Sequence, residues 1–257
     1  MSYGTMQYFL HENFKLAYRD TGGKNPPILL IHGFASSSKI NWVSTGWFET
    51  LQEAGYRVIA IDNRGHGESD KSYNESDYTP EKMASDAFAL LEYLKIEKAH
   101  IMGYSMGARI TAFMALNHIS KIKTIIFGGL AIGLVTGAGP GETVRDALLA
   151  DDVSKITSAR GMMFRKFADQ TKSDRRALAA CILSSKKEIF PEDIKKIDVP
   201  TLVAVGDKDD IAGAAEPLVE LLPQGEAFII KGRDHMLAVG DRSYKKAALE
   251  FLSRHPF

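Results

Sequence analysis

Gly103-Tyr104-Ser105-Met106-Gly107 stands between the apolar run Ala99-His100-Ile101-Met102 and a helix-like stretch from Ala108 to His118. A serine flanked in this way fits a sharp strand-to-helix turn. Its hydroxyl then stands clear of a sheet, and the helix N-terminus directs positive charge at whatever the oxygen attacks. Glycines on both sides suit a strained turn and a close approach of strand and helix. The chemistry suggested is nucleophilic acyl transfer. The pentapeptide arises too readily by chance to decide this alone, so the weight falls on its setting.

Working outward, short apolar runs alternate with helical patterns. Residues 28–31, 58–61, 99–102, 124–127, 201–205 and 227–230 read as strands buried on both faces, as a central parallel sheet requires. Residues 14–19 alternate like an edge strand. Helices are expected from Pro80 to about Lys95, Met106 to His118, Ala214 to Leu222 and Arg242 to Leu252. This rhythm predicts a doubly wound α/β fold. It breaks between Phe127 and Thr201, where a glycine-rich lead-in precedes helical pieces at about 143–150, 153–169 and 173–186. An insertion of that length at a sheet edge favours a lid over the serine rather than a plain crossover.

The 257 residues are 45% hydrophobic, enough for one domain with a sizeable core. Lys+Arg and Asp+Glu both number 32, and this balance argues against nucleic acid as a partner. Cys181, the single cysteine, sits in an apolar context and reads as a small buried hydrophobe. With no disulfide, secretory signal or membrane span expected, a cytoplasmic location is expected. No metal-ligand spacing is present, so neither metal nor other cofactor is expected. No dedicated cluster of basic residues is expected to meet the catalytic edge, so a phosphorylated or coenzyme A-linked substrate is not indicated. Oligomeric state is left open.

A serine nucleophile needs a base, and the base needs an orienting carboxylate. His235 follows the strand at 227–230 and a glycine-containing loop, which puts it at the same sheet edge as Ser105. His11, His100, His118 and His255 have no such placement. Val205-Gly206-Asp207-Lys208-Asp209-Asp210 offers the acid directly after a strand. Asp209 is the choice there, with Asp207 next. The backbone N–H groups of Met106 and of Phe34, in the loop Ile31-His32-Gly33-Phe34, are the candidate oxyanion donors.

The order Ser…Asp…His, with Gly-Tyr-Ser-Met-Gly, His32-Gly33-Phe34 and Gly-Asp-Lys-Asp, resembles the α/β-hydrolase superfamily. So does Asp62-Asn63-Arg64-Gly65-His66-Gly67-Glu68-Ser69. The resemblance covers about residues 8–127 and 194–255. It implies one α/β-hydrolase domain over 1–257: a mostly parallel sheet flanked by helices, with a small helical cap at 130–192 inserted after the sixth strand. It further implies that Asp62, Arg64 and His66 brace a turn beside the oxyanion loop. Ser105 separates the chain from the branches with an aspartate nucleophile. Ala108 departs from the second glycine many relatives carry.

Aromatics and methionines near these loops suggest an apolar pocket, with Trp42, Tyr104, Met162 and Phe164 as lining candidates and Trp47 and Met163 better read as core. The expected partner is a small-molecule ester or lactone, cleaved through an acyl-enzyme on Ser105. Two other readings stay open. One is the same triad used for carbon–carbon bond hydrolysis or cofactor-free perhydrolysis. The other is a ligand-sensing protein of hydrolase form.

Overall fold

A computed structural model describes residues 3–137, 139 and 141–257. Its strands are β1 (Met6–His11), β2 (Phe14–Asp20), β3 (Pro27–Ile31), β4 (Arg57–Ile61), β5 (Ala99–Tyr104), β6 (Ile122–Gly128), β7 (Thr201–Gly206) and β8 (Gly225–Ile230). They form an 8-stranded sheet in the order β1-β2-β4-β3-β5-β6-β7-β8. β1 and β2 pair antiparallel, as do β2 and β4; every later pairing is parallel.

The apolar runs are continuous because both faces of the sheet are covered. Leu29, Ile31, Ile59, Ile61 and Ile101 point into one core, packed with α2 (Pro80–Tyr93) and α3 (Met106–His118). Their neighbours Ile28, Leu30, Val58, Ala60 and Met102 point into the other, packed with α1 (Trp47–Glu53) and α10 (Arg242–Ser253). Successive strand residues face opposite sides, so every position of a central strand must be apolar. Each fully buried Ile or Leu contributes roughly 1.5–3 kcal/mol. Helix starts follow their capping chemistry. Thr79 accepts from Lys82 N–H ahead of Pro80 in the first turn of α2, and Asp241 accepts from Ser243 N–H at α10.

Between β6 and β7 come α4 (Gly133–Thr136), α5 (Glu142–Leu149), α6 (Ala159–Thr171), α7 (Arg175–Ser184) and α8 (Pro191–Ile194). α5 packs against both α6 and α7, and α7 meets the short turn Glu75–Tyr78. The helix expected over 153–169 starts only at Ala159, where the Ser158 hydroxyl accepts from Gly161 N–H. Ala138 and Pro140, within the expected cap range, lie outside the described residues.

Two further expectations differ. The helix anticipated from Ala214 to Leu222 is a single turn, α9 (Glu216–Val219), because Pro217 and Pro223 supply no amide hydrogen to extend it. Strand β1 was not expected. It pairs only with β2 and leaves Tyr8 and Leu10 exposed, so it lacks the apolar signature of a buried strand. Among the described residues no helix is long and apolar enough to cross a membrane.

Candidate active site

β3 and β5 are neighbours, and the chain order reverses between them. In open α/β sheets this reversal leaves a crevice at the carboxyl ends of the strands. The loop after β3 carries Gly33 and Phe34; the turn after β5 carries Ser105. Ser105 has φ of 55° and ψ of −114°, a left-handed conformation uncommon outside glycine. Holding it costs on the order of 1–3 kcal/mol, which the surrounding packing must offset. The flanking glycines are a matter of space. A Cβ at Gly103 would lie 2.2 Å from the Gly107 carbonyl oxygen, and one at Gly107 would lie 1.9 Å from that of Ile31.

The loop after β8 brings His235 to the serine. His235 Nε2 lies 2.9 Å from Ser105 Oγ, and Nδ1 lies 2.8 Å from Asp209 Oδ2. A carboxylate only accepts, so Nδ1 carries the proton and Nε2 is free to accept from the serine hydroxyl. The Asp209 side chain is fully buried. Its other oxygen accepts from the Ile211 and Ala212 N–H groups at 2.9 and 3.0 Å. Asp207 points elsewhere, accepting from Gly232 N–H at 2.6 Å and tying the β7 loop to the β8 loop.

Beside the serine, the Gly33–Phe34 peptide is oriented from behind. His32 is fully buried, and burial lowers its pKa, so the ring is neutral. It donates from Nδ1 to the Gly33 carbonyl at 2.8 Å and accepts Asn63 N–H at Nε2 at 3.0 Å. With that carbonyl held by His32, the trans peptide directs the Phe34 N–H the opposite way. Among the described residues neither Phe34 N–H nor Met106 N–H has a protein acceptor. Gly33 passes close to the elbow: a Cβ there would lie 3.4 Å from Ser105 Cβ.

The Asp62–Ser69 turn supports this loop. Asp62 accepts from Ser38 and Glu68 N–H groups, and buried Arg64 forms a two-pronged pair with Asp86, both bonds 2.7 Å. Burial pulls the His66 pKa down to about 3, so this ring is neutral too; it packs on His32 and on Phe34.

Two cavities open on Ser105. The first, about 160 Å³, reaches from Gly33 and Tyr104 to Phe164. Tyr104 and Phe164 line it as expected from sequence. Trp42 and Met162 do not line either cavity. Trp42 is fully buried against Trp47 in the core under α1, and Met162 is a half-buried residue of α6. Sequence reasoning missed Ile40, Thr45, Phe167, Met236 and Val239 in this wall. Phe167 follows Phe164 by three residues and was within reach of helical periodicity. The others come from loops and short turns that carry no such signal.

The second cavity, about 40 Å³, lies between α3, α6 and the end of α7. Arg109, Arg160 and Lys186 all line it, which corrects the expectation that no basic cluster meets this edge. Burial lowers the Arg109 pKa to about 10 and that of Lys186 to about 8, the latter helped by repulsion from Arg160 and Arg109 and opposed by Glu142. Cys181 packs its sulfur 3.8 Å from that of Met106, and burial pushes its thiol up to about 12, so it is inert.

The family described as alpha/beta hydrolase fold matches residues 26–179. A Bacillus subtilis (strain 168) protein provisionally named 2-succinyl-6-hydroxy-2,4-cyclohexadiene-1-carboxylate synthase is 25% identical, with 97% of this chain and 99% of that one covered. A bromoperoxidase structure from Bacillus anthracis is 26% identical, with a TM-score of 0.78 over 97% of this chain and 99% of that one. An esterase structure from Exiguobacterium antarcticum, 21% identical, shares the fold, with a TM-score of 0.79 over 97% of this chain and 99% of its own. The chain belongs to the alpha/beta hydrolase fold family.

Proposed function

We propose that this protein is a serine hydrolase of small carboxylic esters or lactones. The observation that carries the reading is the unbroken chain from Ser105 Oγ through His235 to Asp209, at 2.9 and 2.8 Å, opening on a largely apolar cavity. His235 takes the Ser105 proton as the oxygen attacks the carbonyl carbon. The tetrahedral oxyanion is held by the Phe34 and Met106 N–H groups, which among the described residues have no other acceptor. The imidazolium, stabilised by Asp209, then protonates the leaving alcohol. Water, deprotonated by the same ring, releases the acid from the acyl-enzyme.

Residues 130–192 act in this reading as a cap. Phe164 of α6 meets Phe34 edge-on at 5.4 Å, and Arg109 of α3 donates to the Gly133, Leu134 and Lys187 carbonyls. The cap therefore closes over both the oxyanion loop and the elbow helix.

The test is steady-state turnover of p-nitrophenyl esters from acetate to octanoate, with wild type and Ser105→Ala side by side. The reading expects kcat to fall on the order of 10⁴–10⁶-fold in the variant. Near-wild-type turnover there would end it. The 26% identity to a bromoperoxidase supports a second reading, perhydrolysis by the same triad. Halogenation driven by hydrogen peroxide and acetate, faster than ester hydrolysis, would favour it.

A further inference from the structure

We propose that the small cavity beside Ser105 binds a carboxylate of the substrate, through Arg160 and Lys186. The protein's substrates are then esters or lactones that carry a free carboxylate a few bonds from the scissile carbonyl. This rests on the proposed hydrolase reading and narrows its substrate class.

The cations here are uncompensated. Among the described residues neither Arg109, Arg160 nor Lys186 forms an ion pair. Arg109 is spent on three main-chain carbonyls and contributes its charge only. Among the described residues Arg160 donates no hydrogen bond, and its buried Nε has no partner. Lys186 uses one of its three protons, on the Gly139 carbonyl at 2.8 Å. A buried donor without a partner is costly, and like charges close together are more so. Glu142, Glu188, Asp210 and Asp209 offset the field without forming an ion pair to any of the three.

Three features narrow the ligand. A planar guanidinium with free N–H groups matches a carboxylate fork. The volume of about 40 Å³ admits a carboxylate on a short arm. The larger cavity, also on Ser105, takes the rest of the molecule along apolar walls. The serine sits where the two meet, so an anion anchored on one side sets the carbonyl over Oγ.

Charged and neutral esters of equal length test this. Monophenyl succinate against phenyl butyrate places the carboxylate on the acyl arm; 4-acetoxybutanoate against butyl acetate places it on the leaving group. The ratio of kcat/KM, charged over neutral, is expected to exceed tenfold in at least one pair. It should drop at least tenfold in Arg160→Gln/Lys186→Gln and persist in Lys186→Arg. Lys166→Gln, an exposed α6 cation outside the cavity, should leave the ratio as in wild type, which separates local recognition from overall charge. A ratio near one in both pairs, or a ratio the double variant does not move, overturns the proposal.

Calorimetry of the same four compounds on the Ser105→Ala protein separates this from the hydrolase reading. Tighter binding of a charged member by tenfold or more supports the anionic subsite even if wild type turns none over. Equal affinity within both pairs, or no binding at all, overturns it whatever the hydrolysis result.

Discussion

The Tyr104 hydroxyl donates to the main-chain carbonyl of His235 at 2.6 Å, joining the residue before the elbow serine to the residue that presents the imidazole. Burial, with a smaller push from Asp209, holds this phenol far above its ordinary pKa, so it is a permanent neutral donor. Strand β5 and the β8 loop are thereby locked together at the point where Oγ and Nε2 must meet.

Tyr104→Phe removes that donor and leaves a buried carbonyl unpaired. A loss of about 1–3 kcal/mol is expected. Because the bond positions His235, kcat should fall more than KM rises. Urea denaturation and steady-state kinetics on one ester check both, and an unchanged kcat would remove the positioning role.

The two aspartates of the β7 loop should separate sharply. Asp209→Asn forfeits the acceptor that fixes the His235 tautomer, and kcat should fall about 10⁴-fold. Asp207→Asn weakens a loop-to-loop bond to Gly232 and should act mainly on stability. Equal losses of kcat in both variants would contradict the assignment of Asp209.

Glycine substitutions test the elbow geometry. Gly107→Ala drives a methyl to 1.9 Å from the Ile31 carbonyl oxygen, in rigid backbone on both sides. The cost should be at the upper end of the 1–3 kcal/mol typical of overpacking, or beyond it. Gly232→Ala meets nothing within 4 Å and carries only the strain of φ 71°, roughly 1–2 kcal/mol. Melting temperatures of the two variants should fall in that order.

Stability should decline on acidification before the carboxylates titrate. Burial draws the His66 pKa down to about 3 and that of His100 to about 4, and lowers His32 as well. Unfolded, each titrates near about 6.5. Below that the unfolded chain binds more protons than the folded one. The stabilising contribution is therefore whole above about pH 6.5 and lost as pH falls towards about 4 for His100 and about 3 for His66. The slope is up to about 1.4 kcal/mol per pH unit for each histidine. Urea midpoints from pH 7.5 to 4.5 should show it, and His100→Gln, away from the site, should flatten it. A flat wild-type profile would contradict the account.

Much of this molecule is legible along the chain. The runs at β3 to β7 are continuous because both sheet faces are covered, and that requirement is written residue by residue. α3 begins at Met106 as read, since the glycine spacing around Ser105 admits little else. His235 and the β7 acid loop each follow a strand end, and strand ends share one edge, so their approach to Ser105 is legible in the chain.

Other features had no local signature. β1 is a half-exposed edge strand, defined by its pairing with β2 rather than by its own pattern. The choice of Asp209 over Asp207 depends on how the loop curls: one carboxylate faces His235, the other Gly232. Trp42 carries the chemistry of a pocket wall yet packs under the sheet, because hydrophobicity says that a residue is buried and not against what. Arg109, Arg160 and Lys186 lie on separate helices or loops, and no spacing links them. Apolar runs and turn type are set by near neighbours in the chain, so the sequence by itself determined the central strands and the elbow. The order β1-β2-β4-β3-β5-β6-β7-β8 was decided by how the crossovers pack. The cationic cavity exists only because α6 and the end of α7 fold back over α3, and that convergence was decided by tertiary packing.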